Sequence, residues 1–319
     1  MIATQIILLL AGLALIVFGA DFLVDGASGL ARRLGISEFV IGLTIVGFGT
    51  SCPELVVSLT GALAGNSDIA AGNVIGSNVF NTLLILGLTA ALVPIPVTRD
   101  NRRLDIPITI GVTLIFTVAA LLGGIGRLAG VFFLLVFAAY MLFCFKTNKA
   151  DDDSVEGEGV KTLYQRIKNS IVAQIALVLG GLAALIFGGK TFVDAACAIA
   201  RTAGVSDKFI AITVLAAGTS LPELATSVVA ALKGKARLAL GNILGSNVFN
   251  ILLILGASAI VSPLSLADVN AVDLVALLAS SILLAVWSYT GTKDRIDRWE
   301  GLVMLAGFAA YYAYLFVTI

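Results

Sequence analysis

Glu54 and Glu223 each close the same string in apolar surroundings, Gly49-Thr50-Ser51-Cys52-Pro53-Glu54 and Gly218-Thr219-Ser220-Leu221-Pro222-Glu223. A carboxylate beside two hydroxyls and a proline suits cation chemistry. Proline has no N–H, so Pro53 cannot serve the carbonyl of Gly49, nor Pro222 that of Gly218, and both strings predict a helix broken at Gly-Thr-Ser. Carbonyls freed at membrane depth are tolerated where they line a cavity or meet an ion. An acid in hydrocarbon costs about 2.5–3.5 kcal/mol on insertion scales, so two at equivalent places call for a functional reason. Carboxylate, hydroxyl, amide and carbonyl oxygens form a hard shell suited to calcium, which takes about six to eight such ligands. Two negative charges match one divalent cation. The same oxygens can hold several sodium ions in its place, so two cations competing for one set of ligands implies exchange.

A second motif follows each string, Gly72-Asn73-Val74-Ile75-Gly76-Ser77-Asn78-Val79-Phe80-Asn81 and Gly241-Asn242-Ile243-Leu244-Gly245-Ser246-Asn247-Val248-Phe249-Asn250. Its glycines have small-xxx-small spacing and predict close helix packing. Ser77 and Asn81 are four apart, as are Ser246 and Asn250, and on an α-helix each pair shares one face aimed at a common centre. Asn81 and Asn250 are therefore expected as ligands or as supports of ligands. Asn73, Asn78, Asn242 and Asn247 are open to either role or to bonding between helices.

Residues 44–87 and 213–256 align without a gap at an offset of 169, with roughly 25 of about 44 positions identical. The identities concentrate in polar and helix-perturbing residues. The chain is a duplication, and what was duplicated is a site.

The chain has 319 residues, 59% hydrophobic and 13% charged, with a mean hydropathy of +1.05, which is too apolar for a soluble domain. Apolar windows long enough to cross a bilayer recur near 4–31, 38–64, 69–93, 104–124, 127–146, 169–200, 207–232, 238–261, 270–290 and 299–318. The short alternating segments of a porin-type barrel are absent. The expected fold is an all-α polytopic membrane protein with ten transmembrane helices in two five-helix repeats, residues 1–146 and 169–319, joined by a charged linker at 147–168. An odd number of spans per copy inverts the second copy relative to the first. Glu54 and Glu223 then approach the middle of the membrane from opposite sides.

With the N-terminus outside, the cytoplasmic loops hold Arg32, Arg33, Arg99, Arg102, Arg103 and most other basic residues, while the far side keeps only Arg127, Lys190, Arg201 and Lys208. By the positive-inside rule both termini face away from the cytoplasm. The linker carries Asp151, Asp152, Asp153, Glu156 and Glu158 among lysines. It lacks EF-hand ligand spacing and is read as a solvated connector. Net charge is zero and there is no His. Nucleic acid is not an implied partner, and a His proton relay or the usual zinc site is excluded. Cys52, Cys144 and Cys197 stand singly in apolar segments and are read as packing residues.

The duplicated GTSxPE and GNxxGSNxxN segments resemble the alpha-repeats of the calcium/cation antiporter superfamily, in its sodium/calcium exchanger branch. The resemblance covers essentially the whole chain. It implies ten helices, binding of calcium and sodium by Glu54, Glu223, Thr50, Thr219, Ser51, Ser220, Ser77, Ser246, Asn81 and Asn250, and alternating access by sliding of the first and sixth helices. Proton-coupled relatives place the key Glu in a Gly-Asn-x-x-Glu segment, whereas here it stands in GTSCPE and GTSLPE, which favours sodium; the alternative is a proton-coupled exchanger of calcium or another divalent cation. Potassium-dependent relatives carry an acid at the position of Asn250, so the amide here argues against potassium coupling. The expected protein is a calcium/sodium antiporter with no resident cofactor and no evident obligate protein partner. It belongs in the bilayer of a prokaryotic plasma membrane.

Two other classes share features with the chain. Gly26-Ala27-Ser28-Gly29 spells the GxSG string of rhomboid-like proteases, but such a serine needs a base and the chain has no His. An oxygen-lined channel is the second. Inverted repeats with broken helices favour a carrier instead.

Overall fold

The computed structural model describes residues 2–147, 170–204, 216–267, 269–290 and 294–318. The acidic linker and residues 207–215 of the span expected at 207–232 lie outside the described residues. Among those described, the helices are α1 (Ile2–Leu34), α2 (Glu38–Thr50), α3 (Cys52–Leu63), α4 (Ser67–Leu92), α5 (Asn101–Leu121), α6 (Arg127–Thr147), α7 (Ile171–Thr202), α8 (Leu221–Leu232), α9 (Ala236–Val261), α10 (Ala271–Trp287) and α11 (Arg298–Thr318). Seven of them are long and apolar enough to span a membrane, and α2 and α3, bent by 47° at their break, are together apolar enough to count as an eighth if they are one span. The shorter apolar helices α8 and α10 stand where the two remaining spans are expected. The protein is an all-helical polytopic membrane protein.

Local chemistry sets the helix ends. Ser37, Asn66, Ser170 and Asn270 cap their helices by accepting from the backbone N–H of Val40, Ile69, Ala173 and Val272. Gly65 and Gly234, at matching places after α3 and α8, take φ of 73° and 74°, a left-handed turn that suits glycine. Large apolar side chains such as Ile7, Phe18, Leu128 and Val317 are exposed, while Ala, Gly, Ser and Asn lie inside. A helix bundle solvated by lipid distributes its residues in this way.

The chain divides into two compact units that are not the two sequence halves. One comprises Met1–Thr50 with Met141–Asn242, the other Ser51–Tyr140 with Ile243–Ile319. Each unit takes segments from both copies.

In the first unit, α1 and α7 pack backbone to backbone. A Cβ on Gly12 would lie 2.7 Å from the Phe192 nitrogen, one on Gly19 2.8 Å from that of Leu185, and one on Gly26 2.8 Å from the Gln174 carbonyl. Partners that descend in number as α1 ascends mean antiparallel helices. Since these are the first spans of the two copies, the copies are inverted. At the end of α8, Lys233 pairs with Asp21 at 2.6 Å and Asp25 at 2.7 Å of α1.

The second unit contains the buried helix α4, 78% of whose apolar window is enclosed, against 11% for α11. Two short antiparallel pairs interlock the copies within this unit. β1 (Ile95–Pro96) pairs with β4 (Arg295–Ile296), and β2 (Gly124–Ile125) with β3 (Leu264–Ser265). Each joins a loop of one copy to a loop of the other.

Candidate ion-binding site

Both predicted helix breaks are present. Ser51 leaves helical geometry at φ −83°, ψ 6° just before α3, and Ser220 does so at φ −89°, ψ 6° just before α8. Pro53 and Pro222 lie in the first turns that follow, where a missing N–H breaks no hydrogen bond within the new helix. Glu54 and Glu223 fall in those same turns, 1% exposed each. A carboxylate there is favoured by the partial positive charge of the helix N-terminus. In the first unit Gly49 and Gly218 also lie against α7: a Cβ would come within 2.5 Å of Leu182 and 2.6 Å of Val193.

In the first unit, Thr50, Ser220 and Glu223 are buried, and Thr219 is half-buried. The Thr50 hydroxyl donates to Asn242 Oδ1 at 3.2 Å. Asn242 Nδ2 donates to the Glu223 carbonyl at 3.4 Å and to Ser227 Oγ at 3.0 Å. The hydroxyls of Thr219 and Thr226 find no hydrogen-bond partner among the described residues.

In the second unit, Ser51, Glu54, Ser77, Asn81, Ser246 and Asn250 are all buried. Asn73 Nδ2 donates to the Glu54 carbonyl at 3.1 Å and to Ser58 Oγ at 2.9 Å. Asn73 and Asn242 are thus braces between helices, each holding the backbone of a glutamate. Their serine partners were not singled out from the sequence, although Ser58 and Ser227 recur at the same offset of 169.

Ser77 lies in regular α-helix and Asn81 at the start of a π-helical segment. Regular α-helix ends at Val79, and Phe80–Leu86 is a π-helical turn; Phe249–Leu255 is its counterpart around Asn250. Such π segments concentrate at functional sites, and no residue type in GSNxxN announces one.

The π turns accompany an amide network in the second unit. Asn81 Nδ2 donates to Asn247 Oδ1 at 3.2 Å, and Asn247 Nδ2 to Thr82 Oγ1 at 2.9 Å. Asn250 Nδ2 donates to Asn78 Oδ1 at 2.9 Å, and Asn78 Nδ2 to the Asn247 carbonyl at 3.1 Å. The side-chain oxygens of Asn81 and Asn250, and the hydroxyl of Ser246, are buried without a hydrogen-bond partner among the described residues. Orphaned acceptors of this kind are costly unless something positive meets them.

The close packing expected of the motif glycines is found at Gly241, where a Cβ would lie 2.1 Å from the Phe39 carbonyl. Gly72 and Gly76 have no such neighbour among the described residues. Cys144 and Cys197 are buried and Cys52 is half-buried. Among the described residues no three His, Cys, Asp or Glu gather as a metal cluster. The polar interior offers single carboxylates among neutral oxygens, suited to a cation that must be released again.

An inverted-repeat helical membrane protein with a carboxylate after each broken helix belongs to the class of cation transporters. The family model described as sodium/calcium exchanger protein matches residues 4–146 and 173–317. The chain belongs to the sodium/calcium exchanger family and is a transporter, not an enzyme. It is 40% identical to the putative antiporter CaxA of Alkalimonas amylolytica, over 97% of this chain and 98% of that one. It is 34% identical to the sodium/calcium exchanger MaX1 of Methanosarcina acetivorans, over 99% of each. The fold matches a structure of the sodium-calcium exchanger NCX_Mj soaked without sodium or calcium, with a TM-score of 0.84 and 31% identity, covering 99% of this chain and 100% of that one.

Proposed function

We propose that the protein is a secondary antiporter that exchanges calcium for sodium by alternating access. The observation that carries this reading is the repeated placement of one buried carboxylate, Glu54 or Glu223, in the first turn after a broken helix. Two such charges match one calcium ion or a set of sodium ions held by the same oxygens. The names of MaX1 and NCX_Mj support the choice of cations. Thr50, Thr219, Ser51, Ser220, Ser77, Ser246, Asn81 and Asn250 are the neutral ligands in this reading, beside the two glutamates. The amide at Asn250, in place of an acid, favours coupling without potassium. Full-length bacterial and archaeal relatives favour a prokaryotic plasma membrane, and the distribution of Arg and Lys favours both termini outside the cytoplasm. The test is calcium uptake into sodium-loaded proteoliposomes of the purified protein. Uptake driven by the sodium gradient is expected, and uptake that follows only a pH gradient would replace sodium by protons.

A further inference from the structure

We propose that Asn78, Asn247 and Thr82 are positioning residues that fix the amide orientation of Asn250 and Asn81, so that both side chains offer oxygen rather than N–H to the transported cation. The inference rests on the exchanger reading of the same site.

An asparagine side chain presents an oxygen on one edge and two N–H donors on the other, and only its neighbours decide which edge faces where. For Asn250 the decision starts at a backbone carbonyl. The carbonyl of Asn247 can only accept, so Asn78 must turn its Nδ2 toward it. The Oδ1 of Asn78 then points the other way and can only accept from Asn250 Nδ2. Asn250 has one edge left, and that edge is its oxygen, buried with no donor among the described residues. Reversing any member would set two N–H groups or two oxygens against each other.

Asn81 is held by a different anchor. Its Nδ2 donates to Asn247 Oδ1, and Asn247 in turn donates to Thr82 Oγ1. A hydroxyl can donate as well as accept, so the direction of this arm depends on Thr82 accepting. Thr82 lies in the π turn beside Asn81 and is 1% exposed. The matching residue of the second copy is Ile251, also buried. The fold therefore accommodates an apolar side chain at the equivalent place, and Thr82 is there for its oxygen.

With Thr82 replaced by Val, Asn247 faces an apolar group and loses its acceptor. A buried N–H without a partner is rarer than an under-satisfied oxygen, so Asn247 is expected to reverse and turn its amide toward Asn81. Asn81 must then accept and present its N–H donors to the cation. A ligand becomes a repulsive group without any change in the residues that bind the ion.

The test compares wild type, Thr82→Val and Thr82→Ser in proteoliposomes, measuring sodium-driven calcium uptake against calcium concentration, with calcium-dependent thermal stability of the purified proteins alongside. Thr82→Val is expected to raise half-saturating calcium about tenfold, the scale for residues that orient metal ligands, while maximal turnover changes little. Thr82→Ser restores the wild-type value. A role in packing alone would lower the melting temperature of the ion-free protein and leave half-saturation unchanged, which would overturn the inference. Thr82→Ala provides the same comparison if the valine variant does not fold. Unchanged half-saturation in a Thr82→Val that transports like wild type overturns this inference alone. A wild type that responds to neither calcium nor sodium overturns the exchanger reading and the inference with it.

Discussion

Asn81 and Asn250 occupy matching places in two copies of one sequence, yet the chain that orients Asn250 ends on a backbone carbonyl and the chain that orients Asn81 ends on a hydroxyl. The braces of the two glutamates differ in the same manner. Asn242 is fully buried and accepts from Thr50 while it holds Glu223 and Ser227, whereas half-buried Asn73 holds Glu54 and Ser58 alone in its described hydrogen bonds. Duplication preserved the candidate ligands and the asparagines that support them, whereas the hydroxyl of Thr82 has no counterpart at Ile251. Side chains that would meet the ion are constrained by its chemistry in both copies, but a support need only supply a donor or an acceptor from some direction.

The largest expected effect falls where the copies are most alike. Glu54→Gln and Glu223→Gln are each expected to reduce calcium transport to the level of protein-free vesicles while the protein stays folded in the membrane, since either change leaves one charge to face a divalent ion. Calcium flux surviving in one variant and not in the other would make the two acids unequal.

Asn250→Asp and Asn81→Asp come next. A carboxylate at 250 sets an oxygen against Asn78 Oδ1, which cannot reverse while its Nδ2 serves a carbonyl. At 81 the facing amide can reverse if Thr82 donates. Asn250→Asp is thus expected to shift half-saturation and ion dependence more than Asn81→Asp does, measured as calcium flux with and without potassium. Equal shifts would mean that the two anchors are equivalent.

A smaller effect separates the braces. Asn242→Ala is expected to lower stability by about 1–3 kcal/mol, because its buried partners lose their hydrogen bonds, and Asn73→Ala by about 1 kcal/mol or less. Thermal unfolding in detergent orders the two, and the reverse order would contradict the asymmetry.

The smallest concerns Lys233, whose counterpart in the first copy is Ala64. Partial burial pulls its ammonium pKa down, but hydrogen bonds and charges from Asp21 and Asp25 outweigh that and hold it above its ordinary 10.5. A pKa raised on folding gives stability that is present below the unfolded value and is lost as pH rises through the folded one. Lys233→Met is expected to cost about 1 kcal/mol or less, as for a partly exposed ion pair, with the difference from wild type closing above about pH 10.5. Melting curves at neutral and alkaline pH measure this, and a difference that persists at alkaline pH would contradict it.

Much of this was legible in the sequence because a membrane simplifies the reading. Spans show as apolar windows, and a proline after Gly-Thr-Ser leaves the backbone little choice, so α2, α3 and the turn before α8 lie where they were expected. Glu54 and Glu223 stood out because an acid in such a window is costly. What pattern did not reveal depends on contacts between segments far apart in sequence. The pairing of β1 with β4 and of β2 with β3, and the two compact units built across both copies, follow from tertiary packing that hydropathy does not encode. The π turns around Asn81 and Asn250 have no signature in residue type. Thr82 escaped notice because its role is not duplicated, and duplication was the signal by which the other polar residues were found.

The most direct test of the central claim is calcium uptake into proteoliposomes loaded with sodium, set against vesicles carrying a pH gradient without sodium, with Glu54→Gln as the blank. Uptake that follows the sodium gradient and vanishes in the blank is the predicted result. Uptake that ignores sodium, or that persists in Glu54→Gln, would contradict the account.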